Sequence, residues 1–552
     1  MNRNLNAFSP RSKPVVRISL KDRQASTVNS YTTLDKIDGE VSIRSDYDVS
    51  FEKLSITFEG RRNPDPNHIR GLGNIAKPDP IGTSRTVIES PGVSGPAIGR
   101  YSAFHTFLRL AQPIDEQQYP QNRILEAGRT YTFPFTFVVP EQLLPSSCNH
   151  KHNHPQVHAA HTLLPPSLGD PTISGNGGTI LDDMAPLMTQ IQYAVRAQVF
   201  KKCPEDDSFK VMVDAKEKVR FIPAMDQAPP LSVPDDSEEF QMRKEKDVKK
   251  GSLRGKIGRI VMAAAQPKAI PVPTSSTTTQ SIEDTPSTMV TVHLRFDPTN
   301  EEQQPPRLGR IWTRLKANTF FSAQPWADIA AKNSSLNWAL NRGIYTQTVP
   351  LASRCVASAT WQKHTGTSSC SPAASILRRR DSFQSTSSVE SLTGPSAGYA
   401  GETFYTASIL VPISLPLTRA YLPTFHSCLS SRTYALEISL SYHTPSANLT
   451  APTLALLLPV QVSTTESLAE ASAARGDLER AGIPYDEFFT PRSIAPPQAE
   501  FTECSSTLSM GPRQGRSDTL VSTTSATSSM SPPEYSPVSS PCARRTGVMT
   551  AC

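Results

Sequence analysis

The 552-residue sequence contains eight cysteines, but no two of them have the spacing of a C-x-x-C pair. That pair is the usual signature of compact zinc modules and thioredoxin-like redox sites, so its absence argues against both. No apolar run is long enough to span a bilayer, and the first ten residues, MNRNLNAFSP, contain no apolar segment. We therefore expect a reduced, cytoplasmic protein without a signal peptide.

Common catalytic motifs are also missing. The sequence has no G-x-S-x-G elbow, Walker loop, dinucleotide-binding fingerprint or H-E-x-x-H helix motif, and we predict that the protein is not an enzyme and needs no cofactor. Its net charge of +6 is small for 552 residues and is not gathered into one long stripe. Nucleic-acid binding is therefore not expected.

The clearest structural signal is a segment in which aromatic residues alternate with smaller ones. Four aromatic side chains are predicted to share one face of a strand: Tyr131, Phe133, Phe135 and Phe137. Such a row fits an antiparallel sheet with one buried side. Pro134 has no N–H to donate, so we expect this strand at a sheet edge or at a bulge.

Similar alternation recurs along the chain and predicts an all-β fold. Predicted strands contain residues 16–20, 37–43, 54–58, 101–110, 191–199 and 209–213, and later residues 290–296, 409–415, 434–442 and 454–462. Short alternating strands separated by turn-rich segments are typical of antiparallel sandwiches of the immunoglobulin type. We predict two such sandwiches in tandem, followed by a disordered tail.

Composition divides the chain into five parts. We predict a polar tail at 1–13, a sandwich at 14–228 with long loops at 61–100 and 148–188, a charged linker at 229–250, a second sandwich at 251–465 with a Ser-rich insertion at 363–400, and a low-complexity tail at 466–552. The last segment has too few apolar residues to offset the entropy of ordering.

Several of these blocks resemble a known family. Residues 128–147, GRTYTFPFTFVVPEQLLPSS, resemble the signature of the arrestin N-terminal domain, and 191–197, IQYAVRA, resemble the strand that follows it in that family. The segment IDGEV at 37–41 is similar to an early x-G-x-V arrestin strand. The runs at 416–434 and 454–459 resemble the end of the arrestin C-domain. The resemblance is to the α-arrestins, also called arrestin-related trafficking adaptors, and covers about residues 14–465.

A short motif in the tail agrees with that resemblance. Pro532, Pro533 and Tyr535 form a P-P-x-Y sequence. Two prolines favour a polyproline II ridge that docks in the aromatic groove of a WW domain, with the tyrosine beside it. In α-arrestins such motifs recruit HECT-type ubiquitin ligases. This chain has one copy where the family often has two, which limits avidity.

The resemblance implies an adaptor. It would link a WW-domain HECT-type ubiquitin ligase to cytosolic segments of plasma-membrane transporters or receptors, and promote their ubiquitination, endocytosis and trafficking. The protein would then be cytoplasmic and recruited to the plasma membrane or endosomes. One alternative is an arrestin-fold sorting-coat component, similar to retromer, that acts without a ligase. A more remote alternative is a metal-dependent protein.

The metal alternative depends on a histidine-rich segment after Cys148. It contains His150, His152, His154, His158 and His161, five of the eleven histidines. Imidazoles at short spacing are good zinc or copper ligands, and such a cluster could also sense pH. We favour a polar loop between two strands and assign no metal.

Two further segments are candidate regulatory sites. Ser382 follows Arg378–Arg380 and is a possible phosphosite that would recruit a 14-3-3-type partner. A basic run could contact anionic lipid headgroups at the membrane periphery: Lys244, Lys246, Lys249, Lys250, Arg254, Lys256 and Arg259. For this run we favour a solvated linker.

Overall fold

A computed structural model describes residues 13–21, 30–62, 86–88, 101–103, 105–176, 179–187, 189–203, 208–250, 255–273, 285–333, 336, 341–365, 394–444 and 451–464. All of them lie in one compact unit, Met1–Ser506. Ser382, the P-P-x-Y motif at 532–535 and the predicted tail at 466–552 lie outside the described residues.

The first half of the chain forms fourteen strands in the described ranges. They are β1 (Val15–Leu20), β2 (Ser30–Tyr31), β3 (Lys36–Arg44), β4 (Val49–Ser50), β5 (Lys53–Arg62), β6 (Thr86–Ile88), β7 (Tyr101–Ala103), β8 (His105–Gln112), β9 (Ile124–Leu125), β10 (Thr130–Val138), β11 (Gly175–Asn176), β12 (Thr179–Ile180), β13 (Gln192–Lys202) and β14 (Phe209–Phe221). Three 3-10 helices, Glu116–Gln118, Gln121–Arg123 and Pro145–Cys148, and one α-helix, α1 (Pro155–His161), lie between them.

Two sheets of this half form the first sandwich. One has the order β1-β3-β10 and the other β2-β14-β13-β5-β8. Neighbouring strands are antiparallel except β2 and β14, which are parallel. The inner faces share one apolar core, which includes Ile37, Phe58 and Tyr193. Alternate residues of each strand supply this core, as the period of two predicts.

Strand β10 is the predicted aromatic strand. Phe133, Phe135 and Phe137 are buried, whereas Thr132 and Pro134 on the opposite face are exposed. Among the described strands β10 pairs only with β3, where Pro134 faces Glu40. Its edge position removes the need for an N–H at Pro134. The strand, its buried face and its place at the sheet edge are confirmed.

Gly39 on β3 is required by the neighbouring strand. It lies opposite Phe135 in the β3–β10 register. A Cβ atom there would lie 2.5 Å from the carbonyl oxygen of Ser19 and even closer to the Phe135 ring. The glycine of the x-G-x-V strand therefore leaves room for the aromatic row.

The second half of the chain forms twelve strands in the described ranges. They are β15 (Arg243–Lys249), β16 (Lys256–Ala264), β17 (Ile270–Val272), β18 (Ser287–Pro298), β19 (Arg307–Ser322), β20 (Arg342–Cys355), β21 (Gln362–Thr365), β22 (Thr403–Ser414), β23 (Phe425–His426), β24 (Ser430–His443), β25 (Thr453–Val460) and β26 (Val462–Thr464).

These strands form the second sandwich. One sheet has the order β15-β16-β18-β22-β21 and the other β20-β19-β24-β23, with β25 also paired to β24. The alternating residues predicted in four of its strands line its core, among them Phe296 of β18, Ile413 of β22, Leu436 of β24 and Leu456 of β25. The predicted all-β fold with two tandem sandwiches is confirmed.

Three segments predicted as connections contain regular structure. The charged linker at 229–250 ends in β15, which pairs with β16 as an edge strand of the second sandwich. The loop at 61–100 contains β6, paired with β7. The loop at 148–188 contains α1, whose Val157 and His161 are buried. In the described part of the chain no helix is long and apolar enough to cross a membrane.

Replacing Gly39 with alanine should destabilise the first sandwich. The new methyl group would overlap the Phe135 ring and the Ser19 carbonyl, and we expect a loss of about 2 kcal/mol in the free energy of unfolding. Gly255→Ala is the matched control, because a Cβ atom there meets nothing within 4 Å. Urea denaturation compares the two variants, and equal midpoints would contradict the assigned role of Gly39.

Candidate metal centre between the two sandwiches

The two sandwiches meet by exchanging side chains. Met184, from the segment that follows β12, is fully buried in the core of the second sandwich. Leu422 and Phe425, from the segment that leads into β24, are buried in the core of the first. The core of each sandwich therefore contains apolar side chains that belong to the other sandwich.

Buried charges lie at the same junction. Arg432 on β24 is fully buried and donates a hydrogen bond of 3.2 Å to the carbonyl of Met184. Burial raises the pKa of Asp183, against the hydrogen bond from the Gly169 N–H and the positive charge of Arg432. Burial also lowers the pKa of Arg220 to about 10, and the charge of Asp183 acts to raise it. Asp183 is thus electrostatically coupled to two buried arginines.

A cluster of cysteine and histidine side chains also joins the two sandwiches. Cys148 ends the 3-10 helix that Pro145 begins, and it is buried. His150 and His152 follow in the next turn, and His161 is buried in the last turn of α1. Cys428, also buried, lies between β23 and β24 of the second sandwich.

The side chains converge on the sulfur of Cys148. Its Sγ atom lies 3.3 Å from Nε2 of His150, 3.7 Å from Nδ1 of His161 and 3.5 Å from Sγ of Cys428. One ligand atom from each of these four residues lies within 4.8 Å of every other. His152 approaches Cys148 as well, with Nε2 at 3.1 Å from Sγ. Nitrogen and sulfur donors grouped in this way form the donor set of structural zinc sites.

The electrostatics of the cluster favour a thiolate at Cys148. The hydrogen bond from Cys428 lowers the pKa of Cys148 well below its ordinary value; burial opposes this shift and bonds from the nearby imidazoles add to it. For His150, burial acts to lower the pKa, but the hydrogen bond with Cys148 and its charge raise it above the ordinary value. Burial lowers the pKa of His161. A cysteine ligates metal as the thiolate.

The five histidines of the predicted loop have different roles. His150 and His161 belong to the group of four ligand atoms, together with the two cysteines. The His158 ring packs edge-on against His152 with centroids 5.2 Å apart. His154 is exposed and caps α1, where its Nδ1 accepts a hydrogen bond of 3.2 Å from the Gln156 N–H. The segment is an ordered insertion at the junction, so the favoured polar-loop interpretation is too simple.

Sequence reasoning missed Cys428. It is 280 residues from Cys148, and the absence of C-x-x-C pairs removed only local zinc motifs from consideration. No spacing pattern joins a cysteine in the first sandwich to one in the second. The contact follows from how the two sandwiches pack.

Some of the positive charges in the basic run are paired with carboxylates. Lys256 and Arg259 both form ion pairs with Asp247, at 2.8 and 2.9 Å. Arg259 also pairs with Glu245 at 3.3 Å. Arg254 lies outside the described residues. Carboxylates on β15 therefore compensate part of this charge, as is common on a solvated face.

Comparison with known proteins finds a family match. Residues 110–271 match the family model described as the Bul1 N terminus, and Bul1 is an arrestin-related trafficking adaptor. The matched range runs from β8 into β17 and includes the aromatic strand β10 and the cysteine-histidine insertion. Among curated proteins, no match is found.

Arg432→Met should weaken the junction. The substitution removes the donor to Met184 and one of the two positive charges that act on Asp183. Leaving a buried carbonyl without its donor costs about 2 kcal/mol. The control is Arg419→Met, which breaks the more exposed ion pair between Arg419 and Asp182 and should cost less than about 1 kcal/mol. Urea denaturation measures both variants; a loss for Arg432→Met no larger than that of the control would refute this role.

Proposed function

We propose that this chain is an arrestin-like adaptor between a WW-domain HECT-type ubiquitin ligase and plasma-membrane cargo. The cargo would be transporters or receptors, recognised through their cytosolic segments, and the adaptor would promote their ubiquitination and endocytosis. The match of residues 110–271 to the N terminus of an arrestin-related trafficking adaptor carries this proposal. The two-sandwich fold supports it.

The ligase contact is assigned to the tail. Pro532 and Pro533 favour a polyproline II ridge, and Tyr535 is placed two residues after it to fill the neighbouring part of a WW groove. In this proposal the ligase catalyses the reaction, and the chain itself catalyses none. It raises the effective concentration of the ligase near the cargo, as any bivalent linker does.

The cargo contact is assigned to the sandwiches, and strand edges are the best candidates. Strand β20 pairs only with β19 among the described strands. Most of its residues are exposed or half-buried. An edge strand of this kind presents backbone donors and acceptors to an extended peptide, and alternate side chains then give selectivity.

Regulation and location complete the proposal. Phosphorylation of Ser382 next to three arginines would create an anionic group that a 14-3-3-type protein can bind. The protein would be cytoplasmic and reach the plasma membrane or endosomes through its cargo, with peripheral lipid contact as a minor contribution. It would have no catalytic activity of its own.

Replacing Tyr535 with alanine should abolish ligase binding. The full-length chain should bind the WW domains of a HECT ligase with a Kd on the order of micromolar, and Tyr535→Ala should weaken binding at least about tenfold. The matched control is Tyr485→Ala, since Tyr485 follows a single proline rather than a P-P-x sequence and its loss should change nothing. A titration by calorimetry or fluorescence polarisation compares the three proteins.

The opposite result would favour the alternative role. If Tyr535→Ala and Tyr485→Ala bind the WW domains as the unmodified chain does, or if none of the three proteins binds, the ligase-adaptor proposal fails. A sorting-coat component that acts without a ligase would then be the better explanation, because it requires only the arrestin-like sandwiches.

A further inference from the structure

The geometry of the cysteine-histidine cluster matches tetrahedral zinc. With Zn–S bonds of about 2.3 Å and Zn–N bonds of about 2.05 Å, two sulfur ligands lie roughly 3.8 Å apart, and a sulfur and a nitrogen roughly 3.6 Å apart. The two sulfurs here are 3.5 Å apart. Sulfur–nitrogen distances from Cys148 are 3.3 Å to His150 and 3.7 Å to His161. All are close to the separations that a zinc ion imposes.

A disulfide fits these distances less well. The bond length of a disulfide is about 2.05 Å, whereas the sulfurs of Cys148 and Cys428 are 3.5 Å apart. Two imidazole nitrogens from His150 and His161 also lie within 4.8 Å of both sulfurs. A disulfide would form no bond to these nitrogens, whereas a metal ion would bind both nitrogens and both sulfurs.

The surroundings hold the donors in the ligating form. Nδ1 of His150 lies 3.1 Å from the carbonyl oxygen of Lys151. Since only an N–H can bond a carbonyl, this contact places a proton on Nδ1, so that in the neutral imidazole Nε2 carries the lone pair that a metal ion would take. A second hydrogen bond of this kind is typical of metal-binding histidines. His105 donates similarly to the carbonyl of Ser147, at 2.9 Å, and the backbone N–H of Trp326 donates to the carbonyl of Cys428, at 2.9 Å.

The charge balance suits a buried site. Two thiolates neutralise a divalent cation, and two neutral imidazoles complete four-coordination without adding charge. The protons that the cysteines and imidazoles hold in the metal-free cluster would be released to solvent on binding, so that metal uptake is coupled to proton release. Cys148, His161 and Cys428 are all buried, and a neutral assembly avoids the cost of burying net charge.

We propose that one zinc ion binds Cys148, His150, His161 and Cys428 and joins the two sandwiches. Three ligands come from the insertion at 148–161 in the first sandwich, and the fourth comes from the turn between β23 and β24 in the second. Four protein ligands leave no position for a substrate, which is the arrangement of a structural site. The ion therefore fixes the insertion against the second sandwich, where Asn153 also hydrogen bonds to Ala327 and Asp328.

Metal content of the purified full-length chain tests the ligand set. We expect about one zinc per chain by elemental mass spectrometry. Cys428→Ser and His161→Gln should each lower the affinity for zinc by more than about 100-fold, which exceeds the loss caused by removing a residue that only supports a ligand. Cys355→Ser and His154→Gln are the matched controls, because Cys355 lies at the end of β20 and His154 only caps α1. Both controls should keep the zinc content of the unmodified chain.

Measurements on the unmodified chain guard against variants that fail to fold. A strong chelator should lower the melting temperature by at least about 5 °C, and added zinc should restore it. Cobalt(II) added to the zinc-free chain should give the absorption of a tetrahedral thiolate complex. Cys148 and Cys428 should react with an alkylating reagent only after zinc is removed, whereas the alkylation of the exposed Cys355 should not depend on the metal.

Three results would overturn the proposal. The first is a folded, metal-free chain whose melting temperature responds to neither chelator nor zinc. The second is a loss of zinc in Cys355→Ser as large as that in Cys428→Ser. The third is a disulfide between Cys148 and Cys428, found by mass spectrometry in protein purified under reducing conditions. None of these results depends on whether the chain binds a ubiquitin ligase.

Discussion

Exchange of buried side chains between the two sandwiches is the constraint on which the rest of the structure depends. Phe425 belongs to the second sandwich but lies in the core of the first, where it is 2% exposed. Met184 belongs to the first sandwich and is fully buried in the core of the second. Burying a side chain of this size contributes about 2 kcal/mol. Neither core is complete without the other sandwich, so the junction belongs to both cores.

That constraint positions the polar groups of the junction. Arg432 lies two residues before Tyr434, whose hydroxyl donates to the Leu422 carbonyl at 2.7 Å. Cys428 lies three residues after Phe425 and is held by the turn between Ser427 and Ser430. Once Phe425 and Leu422 are seated, the backbone that carries Cys428 has little freedom. The sulfur is thereby presented to Cys148 and to the histidines of the first sandwich.

A rigid junction has a consequence for an adaptor. A protein that brings two partners together works through effective concentration, which depends on the distance and stiffness of whatever connects the binding sites. Two sandwiches locked by exchanged side chains, and in our proposal by a metal ion, present their strand edges in one fixed arrangement.

Several of the strands that sequence reasoning identified have an unbroken period of two. Strand β10 and four strands of the second sandwich have apolar residues at every second position, and each lies where it was predicted. Strand β19 was missed although it is the longest described strand, because its register shifts between Leu308 and Ile311. Its last five residues, 318–322, are buried on both faces. A bulge and a two-sided burial both remove the alternation on which such predictions rest.

By itself, then, the sequence determined local properties: strand periods, the edge strand marked by Pro134, and a family resemblance that residues 110–271 support. It also marked the histidine-rich insertion as a place to look for metal. Only the tertiary structure decided which of those histidines face a common point and that Cys428 joins them, 280 residues from Cys148. The physical reason is that strand patterns are set by neighbouring residues, whereas the ligand cluster is set by two cores that exchange side chains.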